Sequence, residues 1–135
     1  VLMKKSHPVI HAPVIHVCVT CKRAETPEPL EARPGRKLFE AVSTLAQTRG
    51  IDCDVRPVEC MAQCERSCTV AFSSPDKWSY IFGDLDPDVE GTADAVLACL
   101  DIQANDPEGL IRLGRRPPQI RKGLLARIPP FRAEH

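Results

Sequence analysis

No apolar run in this 135-residue chain approaches the roughly 18 residues of a membrane-spanning helix, so no membrane partner is expected. The opening Val1-Leu2-Met3-Lys4-Lys5 is basic, but His7, Pro8, His11 and Pro13 break up the stretch after it. The apolar centre of a secretory signal is therefore lacking. Glycine-rich phosphate loops are absent, as are a Ser/His/Asp arrangement and a carboxylate pair with a reason to be catalytic, and no conventional enzyme is expected. The run Asp84-Leu85-Asp86-Pro87-Asp88 is accounted for by a helix start with an acidic first turn. Net charge is missing too, with 18 Lys and Arg against 18 Asp and Glu. It is unevenly spread: from Pro107 onward seven Lys or Arg face two acids, which leaves the first 106 residues acidic. An acidic body argues against nucleic-acid binding and leaves an acidic partner, or the body itself, as the tail's target.

What the chain has is cysteine. Five of its seven fall in two tight groups, Cys18-Val19-Thr20-Cys21 and Cys60-Met61-Ala62-Gln63-Cys64-Glu65-Arg66-Ser67-Cys68. An odd count at metal-type spacing, with no export signal, reads as a reduced, cytoplasmic protein and not as a disulfide framework. Thiolates are soft ligands that suit zinc or an iron–sulfur cluster far better than magnesium or calcium. A two-residue spacer lets the sulfurs of Cys18 and Cys21 curl toward one point, and Cys60 with Cys64 can reach a metal from a loop. Reading the second group as one apolar stripe of a helix conflicts with its polar neighbours Glu59, Gln63, Glu65 and Arg66. Cys53 and Cys99 read as small core residues. His16, close to Cys18 on the same segment, reads as structural.

The elements emerge from periodicity. Val14 to Val19 is β-branched and predicts a first strand that ends on the first cysteine pair. After a loop with Pro27, Pro29, Pro34 and Gly35, the residues Leu38, Ala41, Val42, Leu45 and Ala46 recur at helical spacing, and Gly50 stands where a C-terminal cap belongs. Ile51, Cys53 and Val55 alternate with charged residues toward Val58, which predicts a second strand, parallel to the first through a right-handed crossover. Thr69–Ser73 and Lys77–Phe82 predict a hairpin with Trp78, Tyr80 and Phe82 on one face. Asp86-Pro87 predicts the start of a second helix with Val89, Ala93, Val96, Leu97 and Leu100 as its buried stripe. The expected organisation is a loose leader (1–13), a domain (14–106) and a basic tail (107–135). The near-repeat of histidines at His7, His11 and His16 invites a metal-binding reading, and a leader running into a strand is the plainer one. In the tail, Ile120, Leu124, Leu125 and Ile128 predict a short amphipathic helix before Pro129-Pro130, either as a strap on the domain or as a partner-docking arm. The fold class is α/β: a thioredoxin-like sandwich, β-α-β then β-β-α, whose carboxyl-end strand edge gathers both cysteine groups.

The order Val17-Cys18-Val19-Thr20-Cys21, a helix, then Cys60-Met61-Ala62-Gln63-Cys64 before a hairpin resembles the thioredoxin-like [2Fe-2S] ferredoxins and the small iron–sulfur subunit of bacterial NADH dehydrogenases. More closely, from about residue 15 to 130 the chain resembles a bacterial family of predicted metal-binding proteins. That likeness rests on the Cys68-Thr69-Val70-Ala71 run, the Tyr80-Ile81-Phe82-Gly83-Asp84-Leu85 strand, and a tail with Arg116-Pro117 and Ala126-Arg127-Ile128-Pro129. The ferredoxin resemblance implies that Cys18, Cys21, Cys60 and Cys64 hold one cluster and that Cys68 is the spare thiol. Two departures stand out: the first pair is closer together than the superfamily's spacing, and Cys68 sits where those ferredoxins commonly carry proline. The resemblance to the closer family implies a link to the pathway of cobalamin and cobalt metabolism.

Three functions compete. The first is one-electron transfer by a [2Fe-2S] cluster. The second is a zinc or cobalt site, structural or in a metal carrier, where the spare Cys68 suits hand-over; spacing cannot separate it from iron. The third is thiol–disulfide exchange at Cys18 and Cys21, disfavoured because Pro27, Pro29, Pro34 and Gly35 delay the helix that would activate the thiol. The implied partner is a redox or metal-receiving protein, with a homodimer as a further candidate.

Overall fold

The structure is a computed structural model that describes residues 12–21 and 29–131. The leader, with His7 and His11, lies outside the described residues apart from Ala12 and Pro13, as do Pro27 and the last four residues. Strand β1 (Val14–Cys18) is followed by helix α1 (Pro34–Arg49), β2 (Asp54–Val58), β3 (Val70–Ser73), β4 (Ser79–Phe82), helix α2 (Thr92–Asn105) and β5 (Leu124–Ile128). They form one mixed sheet in the order β2-β1-β3-β4-β5, with β1 and β2 parallel and the other pairs antiparallel. Through α2 this is the expected β-α-β then β-β-α order.

Alternation decides which face of the sheet is buried. Ile15 and Val17 on β1, Val70 and Phe72 on β3, and Tyr80 and Phe82 on β4 are essentially inaccessible and face one side. Phe72 meets Phe82 edge-on at 5.8 Å, and Tyr80 stacks beside Phe82 at 5.9 Å. Both helices belong to this core. In α1 the buried stripe is Leu38, Val42 and Ala46, while Ala41 is exposed. Pro34 occupies its first turn, and Gly50 at φ 66° closes it, the Gly50 amide reaching the carbonyls of Ala46 and Gln47. Each fully buried Leu or Phe contributes about 1.5–3 kcal/mol relative to exposure.

Helix α1 takes in Pro34 and Gly35, expected in the loop, and β2 starts at Asp54, leaving Ile51 and Cys53 ahead of it; two further elements differ more from expectation. Helix α2 starts at Thr92, not at Asp86. Asp86 folds into its own turn instead: its carboxylate accepts from the Asp88 amide (3.0 Å) and its carbonyl from Val89 (3.1 Å). Gly91 then takes φ 88°, and the Thr92 hydroxyl ties back to the Asp86 carbonyl at 2.8 Å. Val89 is consequently half exposed and outside the stripe.

The expected tail helix is a strand. Between Pro118 and Pro129 the chain is too short for a helix to be stable without tertiary packing, and the packing on offer is the open edge of β4. Gly123 approaches Gly83 backbone to backbone, the Gly83 amide donating to its carbonyl at 2.7 Å, and β5 pairs from there. Around it, Ile111 and Ile120 are fully buried. Arg116 is buried as well, its Nε donating to the Ile111 carbonyl (2.9 Å) and its guanidinium lying 5.4 Å from the Phe82 ring centre. The segment 110–128 is thus a strap on the domain. No helix among the described residues is long and apolar enough to cross a membrane.

Candidate metal centre

Parallel pairing of β1 with β2 sets Cys18 opposite Val58, so both strands end at one edge. The Val19 amide donates to the Val58 carbonyl at 2.9 Å, and the Cys18 amide to the Thr69 carbonyl at 3.2 Å. Beyond Val58 the chain turns over the first cysteine. The Glu59 carbonyl accepts from the Thr20 hydroxyl and lies 3.9 Å from Cys18 Sγ, and the Met61 backbone is near enough to help lower that thiol. The segment carrying Cys60 therefore crosses directly above Cys18.

Cys18 and Cys21 are both buried, and each thiol shifts the other's protonation. Burial alone would raise Cys18. The Cys21 thiol, the Thr20 hydroxyl and backbone, and the Met61 backbone outweigh it and hold Cys18 below the ordinary thiol value. Cys21 moves the other way: burial and the Cys18 thiol push it up, against smaller opposing effects of Ser67 and of Thr69, whose hydroxyl lies 3.7 Å from Cys21 Sγ. Of the two, Cys18 is the readier thiolate.

The first turn of α1 closes on this pair. The prolines delay the helix along the chain but not in space. The Gly35 amide donates to the Cys21 carbonyl at 3.2 Å, and a Cβ at Gly35 would stand 2.1 Å from the Cys18 carbonyl oxygen. The positive end of the helix dipole is thus turned to the cysteine pair. Arg33, just ahead of the helix, donates through Nη1 to the Thr20 carbonyl at 3.1 Å, and its buried Nε has no partner among the described residues.

The second group is arranged differently. Cys60 and Cys64 are exposed. Cys60 Sγ accepts from the Ala62 amide at 3.3 Å, and Cys64 opens a 3-10 turn, Cys64–Arg66, with its carbonyl taking the Ser67 hydroxyl at 2.7 Å. Among the described residues no three His, Cys, Asp or Glu side chains close on a common point. The structure joins Cys18 to Cys21 and lays the Cys60 backbone over them, while the Cys60 and Cys64 side chains remain outward.

Cys68 is completely buried, with its backbone paired in both directions to Leu85 at 3.0 and 3.1 Å, so it is no surface thiol for metal hand-over. Cys53 is half buried and raised by burial and by Asp52 and Asp54; Cys99 is fully buried and pushed up to about 12 by burial. Both behave as core residues. Half-buried His16 is lowered by burial and then by Arg56, with Asp54 partly offsetting. Arg33, Gly35, Thr20 and Thr69 were not singled out as site residues from sequence. The one legible hint was a proline–glycine pair at a helix start, Pro34-Gly35, where glycine is a poor helix former and needs another reason to be there.

A family model described as "Protein of unknown function (DUF1636)" matches residues 15–130. The chain belongs to that family. This DUF1636 protein has no match among curated proteins. Among solved structures it is similar to a thioredoxin-like [2Fe-2S] ferredoxin from Aquifex aeolicus, at 15% identity over 87% of this chain and 93% of that one, with a TM-score of 0.48. A second structure of the wild-type thioredoxin-like [2Fe-2S] ferredoxin from Aquifex aeolicus matches at 21% identity over 67% of the DUF1636 chain and 87% of the other, again with a TM-score of 0.48.

Proposed function

We propose that Cys18, Cys21, Cys60 and Cys64 hold a [2Fe-2S] cluster and that the protein carries single electrons. The observation that carries this reading is the buried Cys18–Cys21 pair, with the chain leading into Cys60 lying over Cys18, its Glu59 carbonyl 3.9 Å from Cys18 Sγ. The donor set fits, since four thiolates, two to each iron, are what such a cluster takes. Arg33, with its unpartnered Nε, and the N-terminus of α1 supply positive potential where a thiolate centre concentrates negative charge. When bound, the cluster supplies a one-electron redox couple. The chain's own residues do the rest. The Met61 backbone, which helps lower Cys18, would weaken that sulfur as a donor to the cluster and so tune the couple. The burial of Cys18 and Cys21 keeps water from one side, and the exposed Cys60–Cys64 loop faces the redox partner.

A second reading rests on that same exposure: a zinc or cobalt site whose outer two thiols are accessible to a metal-receiving protein. Thiol–disulfide exchange gains support from the helix terminus beside a lowered Cys18, but with Cys18 only 3% exposed the nucleophile is withheld from a protein substrate.

Metal and sulfide analysis with a visible spectrum, on protein purified without oxygen, separates the three. Two irons with matching sulfide, and colour that bleaches on reduction, is the expected result. One zinc or cobalt without sulfide assigns the second reading. A metal-free protein with a reversible Cys18–Cys21 disulfide assigns the third.

A further inference from the structure

Arg33 is an odd residue to find where it is. It precedes a helix without capping it, since no side-chain cap bond is made at that end of α1. Its Nη1 donates to the carbonyl of Thr20, the residue between the two paired cysteines, at 3.1 Å. Its Nε is buried and unpartnered among the described residues. A buried guanidinium nitrogen without an acceptor costs free energy, more so for a charged group than for a neutral one. Its neighbourhood is fixed from both sides. Ahead, the Arg33 amide closes the short 3-10 turn Leu30–Ala32; behind, its carbonyl accepts the Lys37 amide, and Gly35 presses on the Cys18 carbonyl. Arg36, by contrast, is occupied over the Phe39 ring, 5.3 Å from its centre.

The charge this cation answers is not in the turn itself, because Thr20 offers only a neutral carbonyl. Four thiolates bring more negative charge than a divalent metal ion, or an oxidised iron–sulfur core, brings positive. We infer that Arg33 is the charge-compensating residue of the thiolate centre, held on the Cys18–Cys21 turn to favour the loaded state. This rests on the proposal that the cysteines hold a metal, but not on which metal. Arg33 touches no ligand in the structure and acts by position. Arginine suits the post because its fork can bind the turn with one nitrogen while the delocalised charge remains available.

The test uses cobalt(II), whose thiolate charge-transfer bands report binding without any sulfide chemistry, titrated into the anaerobic, reduced full chain against a competing chelator. Arg33→Gln is expected to weaken cobalt binding by about 10–100-fold, the usual cost of losing an outer-shell partner of a metal ligand. Arg33→Lys, which keeps the charge and loses the fork, is expected to recover most of it. Arg36→Gln should bind as wild type does. Thermal unfolding of the metal-free variants is followed alongside, because Arg33→Gln also loosens the turn. If Gln and Lys weaken binding equally, Arg33 is a structural clip and the inference fails; if neither weakens it, the inference fails as well. Wild-type protein that binds cobalt but assembles no iron–sulfur cluster overturns the electron-transfer reading and leaves the Arg33 comparison intact. Wild-type protein that binds no cobalt overturns both.

Discussion

Among the seven cysteines, burial separates thiols that matter to packing from thiols that packing leaves free for the proposed metal. Cys60 and Cys64 are exposed, so serine at either position should leave the metal-free protein's melting nearly unchanged, within about 0.5 kcal/mol. The same substitutions are expected to abolish metal content and colour after anaerobic purification. Cys99 is the opposite case: fully buried, its thiol pushed up to about 12, it stays protonated and unreactive. Cys99→Ser should keep the metal and cost about 1–3 kcal/mol for a buried hydroxyl, measured by denaturant titration. His16 carries a pH dependence. Burial and then Arg56 lower it below 6.5, with Asp54 partly opposing, so the folded protein favours the neutral ring. As pH falls below 6.5 the unfolded chain takes up the proton first. Stability is therefore full above 6.5 and declines through the window beneath it. Urea midpoints measured from pH 7.5 down to about 5 should fall, and His16→Gln should flatten that part of the curve.

Helix α1 depends on glycine for its position more than for its existence. A methyl group at Gly35 would stand 2.1 Å from the Cys18 carbonyl oxygen, a backbone atom that cannot swing aside. Gly35→Ala should therefore lift the first turn off the cysteine pair, costing about 1–3 kcal/mol as an overpacked site and reducing metal loading further than stability alone explains. Gly114, with nothing within 4 Å, is the matched control, and Gly114→Ala should leave melting temperature and metal content unchanged. The body and end of α1 were legible because a periodic stripe and a glycine stop agreed, but its start was not: Pro34 and Gly35, read as loop, form its first turn. Neither was the start of α2. Asp86-Pro87 carries a helix-start signal, yet Asp86 spends its carboxylate on the Asp88 amide and its carbonyl on Val89. Strand β5 was misread as a helix for a different reason. Ile120, Leu124 and Ile128 fit a period of four, but the decisive fact, an open edge on β4 and the approach of Gly123 to Gly83, belongs to the tertiary structure. The site divides the same way. Spacing exposed the cysteines, while Arg33 and Gly35 reach them only through the packing of α1.

At the scale of the whole molecule, the question is whether the basic tail is an appendage or part of the fold. Charge alone reads it as an arm, with seven Lys or Arg against two acids from Pro107 onward. Its packing reads otherwise. Ile111 and Ile120 are inaccessible, the Ile111 amide donates to the Tyr80 hydroxyl at 3.0 Å, Arg116 covers Phe82, and Arg127 lies 4.7 Å from the centre of the Trp78 ring. Two buried isoleucines at about 1.5–3 kcal/mol each already amount to a large part of the 5–15 kcal/mol typical of a domain. Removing the tail would also open the edge of β4 and uncover Tyr80 and Phe82. A chain ending at Asp106 is therefore expected to lose cooperative thermal unfolding and to aggregate, whereas an arm that only docks a partner would come off without moving the melting temperature. A shorter deletion supplies the contrast. Phe131 is 85% exposed, so a chain ending at Pro129 should melt with the intact protein. Because β4 continues through Gly83 to Asp84, whose amide donates to the Arg66 carbonyl, a loosened tail also reaches the Cys64–Arg66 turn. Partial tail deletions that still fold should then lose metal from the Cys60–Cys64 side faster than wild type, measured as the rate at which a chelator strips the loaded protein.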